Sequence, residues 1–219
     1  MRIKSSIINT QYRPLVPMSF SKVVLFAIAS MVIQPPSKTI LFFGDSLTAG
    51  YGLSSIDKAF PAQLEKELTK SGRKVKVINS GLSGETSAGG LSRIDWVLRE
   101  PIDVFVLELG ANDGLRGLPL AQSKKNLQSI IDKVKSKYPK VKIVLAGMMV
   151  PPNMGKTYSD EFKKLYPDLA AKNKCQLIPF LLEGVGGNEK LNQSDGIHPN
   201  DEGHKIIAKN LAKFFEKIL

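Results

Sequence analysis

The 219-residue chain holds one cysteine, two histidines and one tryptophan. A single cysteine, Cys175, cannot build a disulfide framework. With so few soft ligands, no dedicated zinc site is expected. Cys175 lies in Lys174–Ile178, which reads as a short strand, so a buried structural thiol is the expectation. The HExxH, Walker A and GxGxxG patterns are all missing, which removes the zincin, P-loop and dinucleotide-binding readings. Internal repeats and low-complexity segments are missing as well.

Acidic residues are missing from the start of the chain: none precedes Asp45, while Arg2, Lys4, Arg13 and Lys22 are basic. No apolar run reaches the roughly 20 residues that a membrane-spanning helix needs. The longest, Val23–Ile33, follows Ser21-Lys22, precedes Gln34-Pro-Pro-Ser37, and has the proportions of a secretory h-region. Ala27-Ile28-Ala29 offers a small-x-small cleavage site. Residues 1–37 are therefore read as an N-terminal leader, an export signal in preference to an uncleaved membrane anchor or a short core element. Met18 would give a more compact leader than Met1. A periplasmic or secreted protein follows, with membrane anchoring by an uncleaved leader as the alternative.

What is present is the composition of a soluble globular protein, 42% hydrophobic and 23% charged. The net charge is +11 overall, and 27 basic against 20 acidic residues leave +7 once the leader is set aside. A basic chain invites a nucleic-acid reading. The lysines, however, are scattered over helix-like stretches such as Lys124-Lys125, Lys133, Lys135 and Lys137, with no aromatic-interleaved basic stripe. A solvated lysine-rich surface is expected, with no nucleic-acid partner and at most transient contact with a membrane surface.

From residue 38 to 219 the pattern alternates strands and helices. Strands are expected at Lys38–Phe43, Lys74–Ile78, Asp103–Leu109, Val141–Val150 and Cys175–Pro179. Helices are expected at Phe60–Ser71, Ser87–Arg99, Leu118–Tyr138, Asp160–Lys172 and His204–Leu219, each with apolar residues at helical spacing. This is an α/β pattern, with a mostly parallel five-stranded sheet covered by helices on both faces in a three-layer α/β/α sandwich.

Four short stretches each follow the end of an expected strand or precede the last helix. Gly44-Asp45-Ser46-Leu47 displays a hydroxyl at the carboxyl edge of the sheet, where open α/β folds place their ligand sites. A serine there is a helix cap or, given a base, a nucleophile. Gly81–Thr86 contains Gly84, a turn glycine or one whose N–H can approach a substrate closely. Gly110–Gly114 contains Asn112, an Asx-turn residue or an amide donor to a developing oxyanion. Asp195-Gly196-Ile197-His198-Pro199-Asn200 sets a carboxylate three residues before an imidazole, so that Asp195 can hydrogen-bond the ring nitrogen facing away from Ser46. His204, on the last helix, is expected at the surface or helix flank.

Taken together and in this order, the blocks GDSL, GxxGxT, GxND and DGIHPN resemble the SGNH, or GDSL-type, hydrolase family. Its four signature residues fall here on Ser46, Gly84, Asn112 and His198. The resemblance runs from about Lys38 to the end of the chain. Leu107–Gly117 and Val150–Gly155 look like the compact bacterial esterases with acyl-CoA thioesterase, lysophospholipase and arylesterase activities. The GxSxG elbow of ordinary α/β-hydrolases is missing.

The resemblance implies a flavodoxin-like fold, a Ser46–His198–Asp195 triad, and an oxyanion hole of the Ser46 and Gly84 N–H groups with the Asn112 amide. Asp45 and Thr86 would fix the loops, and no metal or organic cofactor is implied. The implied partner is a small acyl ester or thioester, including lysophospholipid, taken by a monomer. For the acyl chain, Asp113, Gly114 and Leu115 belong to a glycine-bearing loop that could move over it. Val150, Pro151 and Met154, with Met148 and Met149, surround the Pro-Pro break and could line an apolar groove. A carbohydrate O-acetyl esterase of the same family and a noncatalytic membrane-surface binding protein are the rival readings.

Overall fold

The computed structural model describes residues 37–219. The leader expected at residues 1–37 lies, but for its last residue, outside that range. Five strands form one sheet: β1 (Lys38–Gly44), β2 (Val75–Gly81), β3 (Val104–Glu108), β4 (Lys142–Ala146) and β5 (Gln176–Ile178). Their order is β2-β1-β3-β4-β5 and every pairing is parallel. In register, Leu41 lies between Ile78 of β2 and Phe105 of β3. The central strands are continuous apolar runs because both of their faces are covered.

Successive side chains of a strand point to opposite faces, and Phe42 and Phe43 show what covers each. Phe42 packs against Phe60 of α2 (Phe60–Lys70) and Phe215 of α7 (Asp201–Ile218). Phe43 packs against Phe105 on its own sheet and beneath the Arg93 guanidinium of α3 (Ser87–Val97), which pairs along its length with α5 (Leu120–Lys137). The remaining long helix, α6 (Lys156–Asn173), packs on α5 and β4 and buries Phe162, Leu165, Tyr166 and Leu169. The result is the expected three-layer α/β/α sandwich.

Two short helices were not expected, α1 (Ser46–Ala49) and α4 (Ala111–Leu115). Both are single turns following strands, too short to show a periodicity. Strand β4 ends at Ala146 instead of Val150, since Gly147 packs against the backbone of Ile178 and Pro179 and the chain then leaves the sheet. The strand order reverses direction between β1 and β3, so loops diverge there and a crevice opens at their carboxyl ends. α1 and α4 flank that crevice.

Candidate active site

Asp45 caps α1, its carboxylate accepting the Leu47 N–H at 3.0 Å, and this sets Ser46 as the first helical residue. The cap has a second support below it. Glu108, the last residue of β3, is fully buried and accepts the Thr48 hydroxyl at 2.7 Å and the Asp45 N–H at 3.2 Å. Gly44 makes room for this, because a Cβ there would overlap both the Glu108 carboxylate and Thr48 Oγ. Burial raises Glu108 well above the usual carboxylate range, and the nearby Asp45 charge adds to it. Burial likewise pushes Asp45 up to about 6, against the opposing pull of its hydrogen bond from Leu47.

His198 and Asp195 arrive on a loop folded back on itself, with Asn192 bridged to Pro199 and Gln193 N–H donating to the His198 carbonyl at 2.7 Å. The Gln193 side chain ties the loop to the other half of the site by donating to the Tyr51 carbonyl at 2.7 Å. Tyr51 sets its ring 4.7 Å from that of His198. Asp195 accepts the Ile197 and His198 N–H groups at 2.9 and 3.0 Å, and its other oxygen meets His198 Nδ1 at 2.7 Å. The His198 backbone bond, followed by the ring bond, lowers Asp195 to about 2. The far ring nitrogen, Nε2, lies 2.9 Å from Ser46 Oγ. Three residues from opposite ends of the described chain thus form one hydrogen-bonded row.

Asn112, in the first turn of α4, donates both amide protons, to Asp45 Oδ2 and to the Glu85 carbonyl, each at 3.1 Å. Gly84 has φ +77° and its carbonyl accepts from Arg116 at 3.0 Å. Its own N–H has no acceptor among the described residues. Glu85, buried beside it, is paired with Arg93. Thr86 caps α3 by accepting the Gly89 N–H.

Beside Ser46 lies a cleft of about 580 Å³, whose lining includes Ser46, Asn112 and His198 together with the apolar Leu115, Met148, Met149, Val150 and Pro151. Of the residues expected to touch an acyl chain, Leu115, Val150 and Pro151 are in this wall; Asp113, Gly114 and Met154 are not. Asp113 is buried, and its carboxylate accepts Ser87 N–H, Ser87 Oγ and Ser123 Oγ at 2.5–2.9 Å, so it ties α3 to α5 behind the wall. Gly114 is packed so tightly that a Cβ would overlap Val150 and Phe162, which does not fit a free hinge. A groove of equal volume beside α2, lined by Ala62, Glu65, Lys66 and Thr69 among others, contains no hydroxyl–imidazole pair.

His204 is buried, not at the surface. Its Nδ1 accepts the N–H of Phe60 at 3.0 Å, satisfying a donor at the start of α2 that has no intrahelical partner. Burial lowers its pKa to about 4. Among the described residues no group of His, Cys, Asp or Glu could hold a metal ion.

Glu108, Gln193 and Tyr51 were not singled out from the sequence. Glu108 had a visible signal, a lone charge at the end of the apolar run Val104–Leu107, whereas nothing local marks Gln193 or Tyr51.

Comparison with known proteins gives this geometry a setting. The sequence pattern of the GDSL-like Lipase/Acylhydrolase family matches residues 42–206. Esterase TesA of Pseudomonas aeruginosa is 41% identical over 186 residues, covering 84% of this chain and 91% of that protein. Thioesterase 1/protease 1/lysophospholipase L1 of Escherichia coli K12 is 35% identical over 96% of both chains. A crystal structure of TesA superposes with a TM-score of 0.78 at 39% identity, over 83% of this chain and all of the other. The chain belongs to the GDSL-like lipase/acylhydrolase family and is an ester hydrolase.

Proposed function

We propose that the protein is a serine esterase of carboxylic esters and thioesters, working through an acyl-enzyme. The observation that carries this reading is the row Ser46 Oγ–His198–Asp195, with bonds of 2.9 and 2.7 Å. His198 Nε2 takes the Ser46 proton as the oxygen attacks the carbonyl carbon. Asp195 holds Nδ1 protonated and offsets the charge of the imidazolium. The ring then gives its proton to the leaving alkoxide or thiolate. Water, deprotonated by the same nitrogen, releases the acid and restores Ser46.

The tetrahedral oxygen is held by the Ser46 and Gly84 N–H groups and the Asn112 amide. The first-turn N–H of Ser46 is not needed by its own helix, and that of Gly84 has no protein acceptor among the described residues. Asn112 must release one of its two present acceptors, Asp45 or the Glu85 carbonyl, to serve. Leu115, Met149, Val150 and Pro151 make the wall beside Ser46 apolar enough for an acyl chain, and methionine there adapts to chains of different length. The basic, apolar start of the chain supports an exported enzyme, periplasmic or secreted.

The test is hydrolysis of p-nitrophenyl esters from acetyl to palmitoyl, with Ser46→Ala alongside. Turnover reaching medium and long chains and lost in the variant is expected. Turnover confined to acetyl esters would move the assignment to an O-acetyl esterase, and turnover that survives Ser46→Ala would remove the proposed mechanism.

A further inference from the structure

In an all-parallel sheet every strand starts at one edge and ends at the other, so the molecule has two unlike poles. The cleft occupies the carboxyl edge. At the amino edge the chain enters β1, and α5, α6 and α7 end beside the starts of β4 and β5. A depression of about 410 Å³ there is lined by Lys135, Lys142, Lys174 and Lys217, with no acidic side chain in its wall. Lys135 and Lys142 donate to the carbonyls of Asn173 and Ile218. Lys174 and Lys217 have no partner among the described residues, nor do Lys74 and Lys140 in the loops leading into β2 and β4.

The carboxylates near this edge do not balance them. Asp103 and Glu100 are taken by Lys38 and Lys76. At the carboxyl edge, by contrast, Lys58 and Arg93 are paired with Asp201 and Glu85. The surplus positive charge of the chain is therefore weighted toward the pole away from the cleft.

The same pole carries the chain's one tryptophan. Trp96, in the last turn of α3, is 65% exposed, with the Arg99 guanidinium 4.8 Å from its ring. An exposed indole beside cations has the amphipathic character that favours the headgroup region of a bilayer.

We infer that the amino edge of the sheet is a docking surface for an anionic phospholipid bilayer, which holds the enzyme with its cleft turned away from the membrane. Lysines within a Debye length of anionic headgroups supply the attraction, and Trp96 enters the interface. A nucleic-acid duplex would use the same charges but would have no use for a single indole at the margin of the patch.

The experiment uses the full chain and vesicles of phosphatidylcholine with or without phosphatidylglycerol, read by flotation and by the emission of Trp96. The expected result is binding to the anionic vesicles alone, with a blue shift, both reversed by salt. The combined variant Lys74→Gln, Lys140→Gln, Lys174→Gln, Lys217→Gln should bind roughly a thousandfold more weakly while hydrolysing a water-soluble ester as before. Vesicle-bound enzyme should turn over that ester at its free rate. Equal binding to neutral vesicles, binding untouched by the four substitutions, or inhibition of turnover in step with binding would each overturn the inference. So would binding to a DNA duplex where no vesicle binding is seen.

Discussion

The Thr48 hydroxyl, two residues after Ser46 in the same helical turn, donates to the buried Glu108 carboxylate at 2.7 Å. The other Glu108 oxygen has no hydrogen-bond partner. Burial raises this carboxyl well above the usual range and so favours its uncharged form, and an amide of the same shape should replace it at little cost. Glu108→Gln is expected to change stability by less than about 1 kcal/mol and to keep most of the esterase activity. Glu108→Ala strands the Thr48 hydroxyl and the Asp45 N–H and opens a void, for which about 2–4 kcal/mol is typical. Urea unfolding of both variants with ester kinetics on the same samples checks this. If Gln costs as much as Ala, the carboxyl group itself matters.

Asp195 is lowered to about 2 by its bonds from His198. A carboxyl with a depressed pKa is ionised throughout the neutral range, so an acid limb of the pH–rate profile above pH 4 does not come from Asp195. Its role is tested by Asp195→Asn, which keeps the shape but offers the ring an amide. A fall in kcat of about 10²–10⁴ with little change in KM is expected. The side chain is partly exposed, so the same substitution should barely move the thermal midpoint.

The cleft wall separates two residues that sequence reasoning had grouped. Val150 faces the cleft and Met154 does not line it. Val150→Ala should shift the ratio of kcat/KM for long against short p-nitrophenyl esters by about tenfold, in line with the worth of a methylene or two in an apolar pocket. Met154→Ala should leave the ratio unchanged. Equal shifts from both would mean that the chain runs over Met154 and that the cleft extends further than its present lining.

These cases show which parts of the molecule a sequence can display. Helix order was legible because those elements carry a period, and the apolar runs β1, β3 and β4 because they are short, rich in β-branched and aromatic residues or followed by glycine. The four loop blocks were legible because the residue types with a chemical use sit together within each. Boundaries failed where tertiary contacts set them. β4 stops at Ala146 because Gly147 meets the backbone of Pro179, a residue 32 positions on. Asp113 lies in a loop that looked mobile, yet it is the acceptor for Ser87 and Ser123, whose spacing reveals nothing of their meeting.

His204 looked like a surface residue for the same reason, since a polar residue near the start of a helix is usually exposed. Only the packing of α7 on α2 brings its ring onto Phe60. Burial there lowers its pKa from 6.5 to about 4. The unfolded chain then binds more protons than the native one between those values, so stability rises with pH across that window and is lost on acidification from 6.5 toward 4. The full shift is worth about 3 kcal/mol. Asp45 acts in the opposite sense: raised from 3.8 to about 6, it makes the native state bind more protons, and stability from this group falls as pH rises through that range. The two slopes partly cancel in the wild type. His204→Gln removes one of them, so its thermal midpoint should lie below the wild type near pH 7 and the gap should narrow toward pH 4. A gap of constant size at every pH would mean that the imidazole serves only as packing and as the Phe60 acceptor.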